Sequence, residues 1–173
     1  MIYLSATKKT LRVLGHDRVP LNPPGVGSSR LGNWLVNVVP LGDREVFLFM
    51  STRSLLNFPI FIGKEQPEPA DMLTFLHAGI ERLTKSLPVP KRAVSMLLED
   101  LNEVALCAST DKSDVGVLSG ISAEYSHRLA LAKHSGRKVD MDQLVRMANE
   151  TPRATLDWET SFEVTVELLR SAA

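Results

Sequence analysis

Trp34-Leu35-Val36-Asn37-Val38-Val39-Pro40-Leu41-Gly42-Asp43-Arg44-Glu45-Val46-Phe47-Leu48-Phe49-Met50 is the stretch on which the fold turns. Trp34–Val39 and Val46–Met50 are rich in β-branched and aromatic residues, and Leu41-Gly42-Asp43-Arg44 supplies turn chemistry between them. The stretch predicts an antiparallel hairpin. Its second arm, Val46–Met50, is apolar at every position, so it reads as a central strand covered by helices.

Upstream, Ile2–Ala6 alternates as a short strand, and Thr7 stands where a helix N-cap belongs. Leu11 and Leu14 follow at helical spacing, and Gly15 stops the helix. His16–Arg30 carries Pro20, Pro23 and Pro24 and reads as a surface loop. Downstream, Ser51–Leu56 reads as a short helix or turn, and Glu65-Gln66-Pro67-Glu68-Pro69 as a polar linker. Asp71 caps a helix in which Met72, Phe75, Leu76, Ile80 and Leu83 share a face; it ends before Pro88.

A second helix runs over Arg92–Asp100, then a strand over Glu103–Ala108. Ser113–His134 predicts a long helix whose first turns are weakened by Gly116 and Gly120. Asp140–Asn149 predicts a short helix with Leu144 and Met147 inward. Trp158–Leu169 fits both a strand and a helix, with helix favoured by its Glu167-Leu168-Leu169-Arg170 end. The order implies an α+β fold: a small antiparallel or mixed sheet, including the hairpin, packed against several helices. The whole of 1–173 reads as one domain, with 135–173 readable as a C-terminal helical extension.

With 44% hydrophobic and 23% charged residues over 173 positions, the chain can close one core. Its 20 basic and 20 acidic side chains cancel, which argues against a protein that coats duplex nucleic acid. The distribution is uneven, with a net +5 over 1–64 and −4 over 65–111. Cys107 is the only cysteine, which excludes an intramolecular disulfide. No apolar run approaches the ~18 residues of a membrane span. Met1-Ile2-Tyr3-Leu4 precedes Lys8 and Lys9, the reverse of a signal peptide. The expected compartment is the cytoplasm, with no membrane partner.

Chemical motifs are sparse. Gly25-Val26-Gly27-Ser28-Ser29-Arg30-Leu31-Gly32 resembles a phosphate loop in glycine content, but prolines precede it and no Gly-Lys-Ser/Thr follows. His127 and His134 stand two helical turns apart, ~10 Å, too far to share an ion. Glu124 and His127 have no second pair to complete a ligand set, so no metal and no cofactor is expected. Cys107 falls in a strand expected to be buried, and no serine has a Gly-x-Ser-x-Gly context. Enzymatic activity stays open at this level. The one suggestive group is Lys8, Lys9, Arg12, Asn37, Arg44 and Arg53, which would bind phosphate if the first helix packed beside the hairpin.

Thr7-Lys8-Lys9, Leu31-Gly32-Asn33-Trp34-Leu35-Val36-Asn37 and Val117-Leu118-Ser119-Gly120-Ile121-Ser122 together resemble an uncharacterised bacterial domain family, a domain of unknown function. Its members pair a Thr-Lys-Lys segment with a Leu-Gly-x-Trp-x-x-Asn element, and the likeness covers residues 1–130. In the third stretch Val115-Gly116 replaces the family's Arg-Ser, and Ser122 its Asn. The resemblance implies a fold and a bacterial or mobile-element origin, and no reaction. The expected function is a non-catalytic interaction domain with a protein partner or a second copy of itself. The alternative is an RNA-binding or ribonuclease-like protein acting through the basic N-terminal residues.

Overall fold

The computed structural model describes residues 1–109 and 111–171. Five strands, β1 (Ile2–Ala6), β2 (Trp34–Leu41), β3 (Arg44–Ser51), β4 (Asn57–Phe61) and β5 (Val104–Ala108), form one sheet in the order β4-β3-β2-β1-β5. β1 runs parallel to both β2 and β5, while β2, β3 and β4 form an antiparallel meander. The fold is therefore α+β with a mixed sheet. The hairpin pairs Trp34 with Ser51 through to Leu41 with Arg44. Gly42 takes φ +67° at the first position of its two-residue turn, a conformation that a side chain disfavours.

Helices cover both faces: α1 (Lys8–Val13), α2 (Asp71–Thr84), α3 (Lys91–Asp100), α4 (Lys112–His134), α5 (Met141–Asn149) and α6 (Ser161–Arg170). On the first face, Ile2, Leu4, Trp34, Val36, Phe47, Phe49 and Phe58 meet Leu11 of α1, Met72 and Leu76 of α2, Leu97 of α3 and Leu169 of α6. On the second, Leu35, Val46, Leu48 and Met50 meet Leu118, Ile121 and Tyr125 of α4 and Leu144 and Ala148 of α5. Each fully buried large apolar side chain contributes ~1.5–3 kcal/mol. β3 has a neighbour on both sides and both faces covered, which is why its arm is apolar throughout.

Four expectations need correction. Asp71, expected to cap its helix, is the first residue inside it, and the cap position is Ala70, which makes no side-chain cap bond. Asn57–Phe61 forms β4, a strand that the sequence pattern does not announce because Pro59 interrupts it. Proline is tolerated there because β4 is an outer strand and Pro59 turns its nitrogen outward. Met147, expected inward, is 38% exposed. Residues 161–170 are helical as favoured, yet Trp158 stands outside the helix, 73% exposed on a turn where Asp157 and Trp158 both take positive φ.

α4 begins earlier than its glycines suggest. Asp111 accepts from Ser113 N at 2.8 Å and Asp114 N at 3.2 Å, and this cap offsets the weak first turns. A Cβ at Gly116 or Gly120 would meet no atom within 4 Å, and neither has positive φ. Gly116→Ala and Gly120→Ala should each raise stability by about 0.5–1 kcal/mol in urea denaturation.

Candidate functional site: an open sheet edge

A strand at the rim of a sheet turns alternate N–H and C=O groups away from its neighbour, and these need partners. This protein supplies such partners from side chains at two rims. Beyond the end of β1, β2 would have a bare rim. Thr7 N donates to Val36 O at 3.2 Å, the Thr10 hydroxyl donates to Val36 O at 3.2 Å, and it accepts from Val38 N at 3.1 Å. The Thr7 hydroxyl caps α1 and donates to Asn37 Oδ1 at 2.6 Å.

At β4 the ladder puts even-numbered residues toward β3, as the bond from Ile62 N to Glu45 O continues, and Asn57, Pro59 and Phe61 outward. Asn149 of α5 closes the first position. Its Oδ1 accepts from Asn57 N at 3.0 Å, and its Nδ2 donates to Asn57 O at 2.8 Å. One buried amide thus imitates a neighbouring strand. Tyr125 completes the knot by donating to Asn57 Oδ1 at 2.9 Å, and burial holds its phenol well above the ordinary value, so it remains a donor. Pro59 has no N–H to offer. A groove of about 860 Å³ runs along this rim, lined by residues 58–61, and a second of about 850 Å³ between the α2–α3 connection and α6 joins it at Ser86, Arg146, Glu150 and Phe162. The three arginines there are engaged: Arg82 with Asp142, Arg146 with Glu150, and Arg170 with the Pro88 carbonyl.

β5 differs. Ile2 N donates to Glu103 O at 2.9 Å and Ser109 N to Ala6 O at 2.9 Å, which fixes the ladder: odd-numbered residues bond to β1. Val104, Leu106 and Ala108 therefore turn their N–H and C=O groups outward. Among the described residues, none of these six groups has a hydrogen-bond partner, and no strand lies beyond β5. The strand is Val-Ala-Leu-Cys-Ala, with neither charge nor proline to discourage a visitor.

The carboxyl ends of β1 and β5 send their helices to opposite faces, the place where open α/β sheets hold ligands. Here the α4 N-terminus is already filled by Asp111. Burial, reinforced by the Asp111 charge, raises the Asp114 carboxyl above its ordinary value. An incoming phosphate would meet a carboxylate rather than free amides.

The six residues singled out in the sequence are spread over three places. Lys9 pairs with Glu45 at 2.6 Å on the first face of the sheet, and Lys8 and Arg12 lie exposed on α1. Such an exposed pair contributes ~0–1 kcal/mol. Arg44, on the second face, stacks over the Phe61 ring at 4.3 Å, and Asn37 is bound by Thr7. Arg53 donates to Arg30 O at 3.0 Å beyond the far end of β3, ~23 Å along the strand. Trp34 is fully buried against Phe58, so it offers no base a stacking surface. Cys107 is buried, which raises its thiol pKa. No helix among the described residues is long and apolar enough to cross a membrane, and no three His, Cys, Asp or Glu side chains group as metal ligands.

Glu124 forms a polar anchor between α4 and the segment after α5. It binds Arg128 at 3.0 Å, Arg153 at 3.0 Å and the Thr151 hydroxyl at 2.8 Å. Burial would raise its pKa, but the Thr151 hydroxyl and the two guanidinium groups overcome this and hold it below the ordinary value. A depressed carboxylate stabilises the fold above its unfolded pKa, and the contribution is lost as pH falls through the folded one. Wild-type stability should therefore fall with acid in this range more steeply than that of Glu124→Gln, read from urea midpoints against pH.

No curated protein and no solved structure gives a significant match to this chain. A family profile does match, over residues 3–164, nearly the full length on which the sheet, its capped rims and its open rim are built. The chain belongs to that family, described as Domain of unknown function (DUF6933).

Proposed function

We propose that this chain is a non-catalytic protein-interaction domain, of a bacterial or mobile-element system, that engages its partner by strand addition along β5. In this reading residues 1–173 act as one domain in the cytoplasm. The observation that supports it is the contrast between rims: β2 carries side-chain caps, β4 carries one at Asn57 and a proline at position 59 and keeps three outward groups, while β5 keeps six outward backbone groups and no deterrent. A strand docking there gains main-chain hydrogen bonds for affinity, and the half-buried Val104 and Leu106 side chains extend the first-face core toward it. The dispersal of the basic residues gives the RNA reading no comparable support.

Ala108→Pro tests the reading. It removes an outward N–H, leaves the bonds to β1 intact and deletes no core side chain. Wild type and Ala108→Pro serve as parallel baits in a bacterial extract, with hydrogen exchange on any recovered complex. The expected result is a protein held by wild type, lost from Ala108→Pro, that slows exchange at Val104, Leu106 and Ala108. Equal retention by both baits, or protection elsewhere only, would overturn strand addition for that protein.

A further inference from the structure

We infer that the strand received by β5 is β5 of a second copy of this chain, paired antiparallel about a two-fold axis at Leu106. The inference rests on the strand-addition reading and names its partner.

The rim is its own complement. With Leu106 on the axis, Leu106 exchanges both of its outward bonds with Leu106 of the other copy, and Val104 exchanges with Ala108 at each end. All six outward groups of each protomer are then used, because Val104, Leu106 and Ala108 are evenly spaced and all turn outward. The side chains agree. On the first face Val104 meets Ala108, and on the second Ala105 meets Cys107, all small enough to sit side by side. No charge lies between Val104 and Ala108, so two copies bring no like charges together there, and the nearest acid, Glu103, falls opposite Ser109. The formal net charge of zero adds no long-range repulsion. The product is a two-fold dimer in which two five-stranded sheets become one. A rim of five residues is much smaller than the ~800 Å² per partner of a standard interface, so the dimer is weak, with a Kd on the order of 0.1 mM.

The register supplies its own test. In this pairing even-numbered residues face one another as hydrogen-bonded pairs, and Ala105 and Cys107 form a non-hydrogen-bonded pair. Their Cα atoms would then lie ~4.5 Å apart, within the ~4.4–6.8 Å that a disulfide spans. Ala105→Cys, oxidised with glutathione disulfide, should form a covalent dimer on non-reducing gels, and peptide mapping should find the introduced thiol joined to Cys107 of the other copy. Wild type, whose one cysteine is buried, should not cross-link. Sedimentation equilibrium should show a concentration-dependent wild-type dimer that Ala108→Pro and Ala105→Lys each weaken at least tenfold. Circular dichroism confirms that both variants are folded. A wild-type monomer up to about 1 mM, ten times that Kd, overturns the second copy. So does a dimer that ignores both substitutions while Ala105→Cys fails to cross-link. Neither outcome decides strand addition itself, which stands or falls on the bait comparison.

Discussion

Asn149→Ala should lower the unfolding free energy by about 3–5 kcal/mol, one of the two largest losses expected from a single substitution here. The side chain is fully buried and makes four bonds, to Asn57 N, Asn57 Nδ2, Asn57 O and Val145 O. Truncation leaves the backbone N–H and C=O of Asn57 without partners in a site that water reaches poorly. The cost is therefore that of stranded polar groups, beyond the lost bonds themselves. Urea denaturation measures it. Asn149→Asp separates the two halves of the amide: the acceptor survives, but the donor returns only when the carboxyl is protonated. Burial raises that carboxyl's folded pKa. The Asp variant should thus be more stable in mild acid than at neutral pH, opposite to wild type. A flat profile would mean that the donor bonds to Asn57 O and Val145 O contribute little.

Gly79→Ala should cost a comparable ~3 kcal/mol for a single methyl group, the upper end of overpacking penalties. Gly79 lies in α2 where the helix presses on β4, and an added Cβ would fall 1.9 Å from Phe58 Cε2. Phe58 cannot swing away, since its ring stacks on Phe49 at 5.2 Å and meets Trp34 at 5.8 Å. The helix must lift or three aromatic rings must shift. Phe58→Leu in the Gly79→Ala background should recover part of the loss, because it removes the ring that clashes. If the double variant is no more stable than the sum of the singles predicts, the clash lies elsewhere.

Local chemistry made much of this fold legible. Gly42 and Asp43 declared the hairpin, Thr7 and Asp140 declared helix starts, and the unbroken apolar run Val46–Met50 declared an interior strand. What failed was whatever depended on neighbours distant in sequence. Pro59 hid β4 because its harmlessness depends on lying at a rim, and rims are set by strand order. The same order decides that β5, read correctly as a strand, has nothing beyond it. The basic residues are dispersed for a related reason. Adjacent residues of a strand point to opposite faces, so Arg44 and Glu45 part company, and Lys9, paired with Glu45, lies across the sheet from Arg44. The likeness to an uncharacterised family rested on short motifs and held, with the match running past residue 130 to 164.

The amide that finishes β4 is supplied by residue 149, long after the strand itself ends at residue 61. On the ribosome, at ~5–20 residues per second, roughly 4–18 s separate the two. Throughout that interval the nascent protein displays Phe61 and unclaimed peptide groups along this rim, with only Pro59 to discourage neighbouring chains on the same message. Replacing Pro59 with threonine should therefore harm yield during synthesis more than it harms the finished molecule, a difference visible as inclusion bodies alongside a nearly unchanged melting temperature.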